Sequence, residues 1–265
     1  MVALCCPLHD PDGRYLQVLE KYGRALSQFY SRISICATPM TSETTISRMK
    51  KLGWDVELRE SLYGEGRRVA LQHAERQEVY HCSDLDRMLH WVSEYPSELK
   101  DVLKWVQGDF LILGRTDRAF QTHPFSWQLT ESAINTVASQ LLRKNVDITA
   151  GACLLSEKAK TFLLRSSKER GFGVCGEWPL LLQDAGMKIS YRSVEGYEWE
   201  DPDRFQDEIK SQGYEEWLSS RYQTEEEWMK RIDLLKEQVE GMFDLTRLLT
   251  ERRLDAMIQS RQQTV

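Results

Sequence analysis

The stretch Tyr80-His81-Cys82-Ser83-Asp84-Leu85-Asp86-Arg87 places two aspartates one residue apart, directly after a run that reads as a buried strand. With 41 acidic residues in 265, a D-x-D pair arises by chance, so its meaning rests on its surroundings. Toward the N-terminus, an apolar run at 2–8, an amphipathic segment at 12–30, a β-branched run at 32–37, a helical stretch at 42–53 and an extended run at 55–60 follow one another. Gly64-Glu65-Gly66 then opens a helix that leads into the quoted strand at 78–82. Strand alternating with helix predicts a layered α/β domain with a mostly parallel central sheet.

Toward the C-terminus, 89–107 reads as helical with an interruption at Pro96, and 109–114 (DFLILG) as a further buried strand. An amphipathic helix at 126–144 carries Leu129, Ala133, Val137, Leu141 and Leu142 on one face. A short apolar run at 148–155, helices at 157–166 and 178–185, and a last strand at 187–194 complete a domain over residues 1–202. From 203 to 265 the composition turns charged and helix-forming. There Trp228, Ile232, Leu235, Val239, Met242, Thr246 and Leu249 recur at spacings of four and three, which predicts one long helix with a coiled-coil-like seam. That seam must pack on its own domain or on a second copy; a homodimer through the C-terminal helix is the expectation.

A net charge of −6 and a pI near 5.5 argue against nucleic-acid binding. No apolar run approaches the roughly 20 residues of a membrane span, and Met1-Val2-Ala3-Leu4-Cys5-Cys6 lacks the features of a signal peptide, so a cytoplasmic protein is expected. Cys5, Cys6, Cys36, Cys82, Cys153 and Cys175 fall in or beside apolar segments without C-x-x-C spacing and read as reduced core thiols. The five histidines are not spaced as a metal site.

In an open α/β sheet, ligands gather at the carboxyl ends of the strands, where Asp84 and Asp86 fall. Alternate residues of an extended segment project to one side, so both carboxylates can face the same crevice. Hard oxygen ligands suit Mg²⁺ or Mn²⁺, with sites left for water and a substrate diphosphate. The competing reading is that the pair caps a helix beginning near Arg87.

Further segments stand in a recognisable order around this pair. Cys6-Pro7-Leu8-His9-Asp10 ends the first strand, Gly64-Glu65-Gly66-Arg67-Arg68-Val69-Ala70 opens the helix before the D-x-D, and Phe110-Leu111-Ile112-Leu113-Gly114-Arg115 is a strand ending in G-R. Asp147-Ile148-Thr149-Ala150-Gly151-Ala152 forms a turn and Gly176-Glu177-Trp178 a helix start. On these residues the sequence, over roughly 1–200, resembles the GT-A glycosyltransferases of the family 2 type related to dolichyl-phosphate mannose synthases.

The resemblance implies a metal-dependent transfer of a sugar from a nucleotide-sugar donor to a hydroxyl acceptor, with inversion at the anomeric carbon. It implies Mg²⁺ or Mn²⁺ on Asp84 and Asp86, Glu177 as general base, and donor or acceptor contacts from Pro7, His9, Asp10, Gly66, Arg67, Asp84, Arg115, Asp147 and Gly151. Ordinary readings stand beside three of these: Arg115 at the surface, Asp147 as a turn former, and Glu177 as a carboxylate at a helix start. The family's acidic D-D-G-S turn after the second strand is replaced by Ala37-Thr38-Pro39-Met40-Thr41-Ser42. That leaves room for a different donor, or for a non-catalytic scaffold that works through the C-terminal helix. A nucleotidyltransferase is disfavoured, since no glycine-rich, lysine-bearing phosphate loop follows the first strand.

Overall fold

The computed structural model describes residues 1–105 and 107–262, with side chains described through Glu251 and at Asp255. Among the described residues, seven strands form one sheet: β1 (Val2–Leu8), β2 (Arg32–Ala37), β3 (Asp55–Leu58), β4 (Val79–Cys82), β5 (Phe110–Arg115), β6 (Ala152–Ser156) and β7 (Ile189–Val194). Their order is β3-β2-β1-β4-β6-β5-β7, and neighbours run parallel except where β6 lies antiparallel to β4 and β5. This is the mostly parallel α/β sheet that the sequence predicts.

Among the helices, α1 (Leu16–Ser27), α2 (Glu43–Lys51), α4 (Leu85–Glu94) and α5 (Pro96–Val102) cover one face. The other face is covered by α3 (Tyr63–His73), α7 (Phe125–Leu142), α8 (Glu157–Ser166) and α9 (Val174–Asp184), while the short α6 (Asp117–Gln121) follows β5. Because both faces are covered, β1 is apolar along nearly its whole length. Leu4, Cys6 and Leu8 face one core, and Ala3 and Cys5 the other.

After β7 come α10 (Asp201–Arg204), α11 (Gln206–Gln212), α12 (Tyr214–Tyr222) and the long α13 (Glu225–Gln262). A third, smaller core of Trp199, Phe205, Trp217 and Tyr222 holds the connecting segment together. The Trp199 and Trp217 rings lie 5.4 Å apart, and Trp199 meets Tyr222 edge-on at 4.9 Å. These four aromatics pin the stretch that carries Glu200, Asp201 and Arg204.

Two sequence expectations need correction. Asp86 is not on an extended segment: α4 begins at Leu85, so Asp84 is its N-cap residue and Asp86 lies in its first turn. Carboxylates are favoured there by the free amides and the helix dipole, and the helix starts two residues earlier than the sequence suggests. The second correction concerns the C-terminal seam. Met242 and Leu249 are buried, and Leu235, Val239 and Leu245 half-buried, in the core shared with α7 and α9. Gly176 makes the approach possible, since a Cβ there would lie 2.6 Å from Met242 Cγ. The chain covers most of the seam itself, with Ile232 exposed.

Candidate active-site crevice

The insertion of β6 against the run of the sheet brings the turn before it to the same edge as the end of β4. Cys82 pairs with Cys153, which sets Thr149 and Gly151 beside Asp84. Gly151 has φ of +66°, and a Cβ there would meet the Tyr63 hydroxyl at 3.2 Å and Asp84 Oδ2 at 3.8 Å. Beyond this edge opens a crevice of about 940 Å³, floored by Asp84, Asp86 and Arg87 and roofed by the 200–238 segment. Its size is that of a small-molecule site.

Asp84 accepts a hydrogen bond from the Tyr63 hydroxyl at 2.8 Å and lies 3.9 Å from Arg87 Nε. Burial lifts its pKa above the usual carboxylate value, with Arg87 opposing and the Asp86 charge adding to the rise. Asp86 accepts from the Tyr15 hydroxyl at 2.9 Å and is ion-paired with Arg204, whose Nη2 lies 2.9 Å away. Burial alone would raise Asp86 too, but Arg204, Arg87 and the Tyr15 hydroxyl together hold it below the ordinary value.

Oxygens of Asp86, Glu200 and Asp201 lie within 4.8 Å of one another, a group able to hold a metal ion. Glu200 is 5 % exposed, and its Oε2 has no hydrogen-bond partner among the described residues. Burial raises its pKa to about 7, with Arg87 (Nε 3.4 Å away) pulling down and Asp86 and Asp201 pushing up. Asp201 accepts from the Tyr222 hydroxyl at 2.5 Å and pairs with Arg204. Three oxygen donors, one of them orphaned and crowded by like charge, fit a hard divalent cation.

The other residues singled out in the sequence are distributed unevenly. Gly151 lines the crevice with Asp84 and Asp86. Arg67 lies behind it, fully buried between the Tyr63 and Trp178 rings at 5.5 and 5.2 Å. It donates to Cys175 Sγ at 3.5 Å, and its Nε and Nη2 have no hydrogen-bond partner among the described residues. Gly66 packs on Pro7, where a Cβ would come within 3.2 Å. Asp10 is spent on its own turn, accepting from Arg14 N at 2.7 Å, Tyr15 N at 3.3 Å and Thr45 Oγ1 at 2.7 Å. His9 is exposed and bonds the Thr38 hydroxyl at 2.7 Å. None of Pro7, His9, Asp10 or Gly66 lines the crevice.

Arg115 and Asp147 are bonded to each other. Arg115 donates to Asp147 from Nε at 2.8 Å and Nη2 at 2.9 Å, and its Nη1 lies 2.7 Å from Glu131. Asn135 and Thr149 add hydrogen bonds to the same carboxylate at 2.7 and 2.9 Å. Burial opposes the Asp147 charge, but Arg115 outweighs it and holds the carboxyl well below the ordinary value. The pair braces the turn before β6 and does not face the crevice.

Glu177 is also placed elsewhere. Its carboxylate accepts from Ser167 Oγ at 2.5 Å, Lys168 N at 2.7 Å and Glu169 N at 3.0 Å, so it ties the loop between α8 and α9 to the first turn of α9. It borders a shallow depression with Lys168, Arg170 and Leu245, away from the D-x-D. Among the crevice residues not singled out in the sequence are Glu131, Glu200, Asp201 and Arg204. The available signal was Glu198-Trp199-Glu200-Asp201-Pro202-Asp203-Arg204, an acidic run closed by an arginine just after the last strand, which reads more readily as a domain boundary.

No protein-family profile matches the sequence, and no curated protein is similar to it in sequence. Among solved structures, the chain is similar to glucosyl-3-phosphoglycerate synthase from Mycobacterium tuberculosis in complex with Mn²⁺, uridine diphosphate and phosphoglyceric acid. That match has a TM-score of 0.52 at 14% identity, over 72% of this chain and 67% of the other. A second structure of the Mycobacterium tuberculosis synthase gives a TM-score of 0.50 at 14% identity, over 72% and 69% of the two chains. A structure described as a mycobacterial protein gives 0.52 at 14%, over 73% and 65%. This chain therefore has the GT-A glycosyltransferase fold, a layered α/β domain with a mostly parallel sheet and a C-terminal helical extension.

Proposed function

We propose that the chain is a metal-dependent glycosyltransferase that moves a sugar from a nucleotide-sugar donor to a hydroxyl acceptor in the crevice above Asp84 and Asp86. The observation that carries the reading is the meeting of Asp86 on the floor of a GT-A crevice with Glu200 and Asp201 from its roof, their oxygens within 4.8 Å. Asp86, Glu200 and Asp201 would hold Mg²⁺ or Mn²⁺; a bound divalent ion neutralises the diphosphate as it departs. A solved structure of the same fold, at 14% identity, holds Mn²⁺ and uridine diphosphate, which supports the choice of cofactor and donor class.

Each floor residue has a distinct task in this reading. Tyr63 fixes the rotamer of Asp84 through its hydroxyl, so that Asp84 presents its second oxygen toward Gly151 and the donor. Tyr15 fixes Asp86 in the same way. Arg87 donates to the Ala150 carbonyl and lies between Asp84 and Glu200, which keeps the acidic floor from repelling a diphosphate. Glu177, three times hydrogen-bonded outside the crevice, is not the proton acceptor of this proposal. Proton NMR of the product reads the anomeric course: inversion requires another base, whereas retention removes the need for one on the far face.

The testing experiment is calorimetry with a panel of nucleotide sugars, with and without Mn²⁺, on the wild-type chain and Asp86→Asn. Binding that depends on Mn²⁺ and on Asp86 supports the proposal. Absence of binding by every nucleotide sugar rejects it. That outcome favours a second reading, a non-catalytic scaffold, for which two observations speak: Arg204 already pairs with Asp86, and the turn after β2 lacks the expected carboxylates.

A further inference from the structure

We infer that the acceptor is an uncharged polyhydroxyl molecule, a saccharide, seated against the Tyr63 and Phe172 rings, and not a phosphorylated or carboxylate-bearing one. The inference rests on the reading of the crevice as a sugar-transfer site and adds to it the chemical class of the second substrate.

Charge favours a neutral acceptor. Among the described residues, eight carboxylates and five cationic side chains line the crevice. Every one of those cations already has a carboxylate partner. Arg87 lies 3.4 Å from Glu200, Arg204 pairs with Asp86 and Asp201, and Arg221 is 3.1 Å from Glu208 while stacked on Phe205. Arg231 is 2.7 Å from Glu227 and lies over the Trp127 ring at 3.4 Å, and Lys230 is 3.8 Å from the same Glu227. A bound divalent ion and a donor diphosphate bring opposite charges and largely offset each other at the Asp86 end. In the outer crevice Glu131, Glu208, Glu226 and Glu227 face Arg221, Lys230 and Arg231, with Arg115 also 2.7 Å from Glu131 and Arg14 2.6 Å from Glu208, so no cation there stands free for an anion. An anionic acceptor would have to draw a cation away from a carboxylate that it already pairs with, and that loss offsets the gain. A neutral acceptor meets no such cost, and the carboxylates offer acceptors for its hydroxyls.

Shape favours a sugar ring. Tyr63 and Phe172 stack face to face, centroids 4.4 Å apart at 16°, and both line the crevice next to Gly151 and Asp84. Phe172 is 42 % exposed, although it is large, apolar and supported from behind. The exposed Phe172 ring, stacked on Tyr63 whose hydroxyl holds Asp84, suits the C–H face of a sugar ring whose hydroxyls extend toward the acidic floor. The missing Cβ at Gly151 leaves room beside the bonded Tyr63 hydroxyl and Asp84.

The test uses the full chain with Mn²⁺ and whichever nucleotide sugar binds it, and follows release of the nucleoside diphosphate. Maltose, trehalose and methyl glucoside are compared with 3-phosphoglycerate and with water alone. The expected result is release at least about tenfold faster with one of the saccharides than with 3-phosphoglycerate, and an acceptor KM raised about tenfold in Phe172→Ala with donor Kd unchanged. Faster release with 3-phosphoglycerate overturns the inference. So does slow donor hydrolysis that no saccharide accelerates, which leaves the sugar-transfer reading standing. A Phe172→Ala change that weakens the donor instead assigns the rings to the donor and overturns the seating. If no nucleotide sugar binds, the parent reading falls and this one falls with it.

Discussion

Arg204 Nη2 lies 2.9 Å from Asp86 Oδ2 and also pairs with Asp201, so one guanidinium joins two of the three carboxylates placed to hold a metal. The guanidinium stacks over the Tyr15 ring at 4.8 Å, and the same Tyr15 donates its hydroxyl to Asp86. A side chain from beyond the last strand thus reaches back to the D-x-D and supplies positive charge there.

A divalent ion at Asp86 and Asp201 is repelled by that guanidinium. Arg204→Gln should therefore bind Mn²⁺ in the absence of nucleotide about tenfold more tightly than the wild-type chain, read by electron paramagnetic resonance. Asp86→Asn should bind at least about tenfold more weakly. Unchanged affinity in both variants would remove these residues from the metal site.

Glu177→Gln is expected to act on stability and not on chemistry. Losing the negative acceptor of three hydrogen bonds should cost about 1–3 kcal/mol in denaturant unfolding. The rate of sugar transfer, measured where the variant is folded, should stay within about twofold. A fall in kcat of about a hundredfold with unchanged stability would return Glu177 to catalysis.

Met242 is 2 % exposed and packs where Gly176 leaves room. Met242→Ala should lower the unfolding free energy by about 2–5 kcal/mol, as for other buried large-to-small changes. Leu235→Asp with Val239→Asp should likewise lower the melting temperature. A change in mass by light scattering without loss of stability would instead mean that the seam faces a second copy.

His90 ties α4 to the crevice segment, with Nδ1 2.8 Å from Asp203 and Nε2 3.1 Å from Glu198. Burial disfavours its charge, but the two carboxylates outweigh this and raise its pKa to about 9 from an ordinary 6.5. The folded state holds this proton more tightly than the unfolded one. The stabilisation is therefore complete below about pH 6.5 and is lost as pH rises through about 9, a linkage of about 3 kcal/mol. Glu200, raised to about 7, contributes a loss in the same direction at lower pH, from about 4.5 upward. Melting curves between pH 6 and 10 should show the decline, and His90→Gln should flatten its upper part. A decline of equal size in the variant would assign it to other groups.

By itself the sequence determined the layered sheet and the place of the D-x-D, because periodicity of buried residues is a local property. The runs at 2–8 and 110–114 are apolar without alternation since both sheet faces are covered, and that pattern survives in any one segment. Tertiary structure decided which carboxylates meet. Asp86 and Glu200 are more than a hundred residues apart, and nothing in either neighbourhood encodes the aromatic cluster of Trp199, Trp217 and Tyr222 that swings Glu200 over α4. It likewise decided that Arg115 and Asp147, both candidates for the substrate, satisfy each other, and that Glu177 binds backbone amides. A charged residue's role depends on the partner that folding brings within hydrogen-bond distance, and the long-range partner is what a linear motif leaves out.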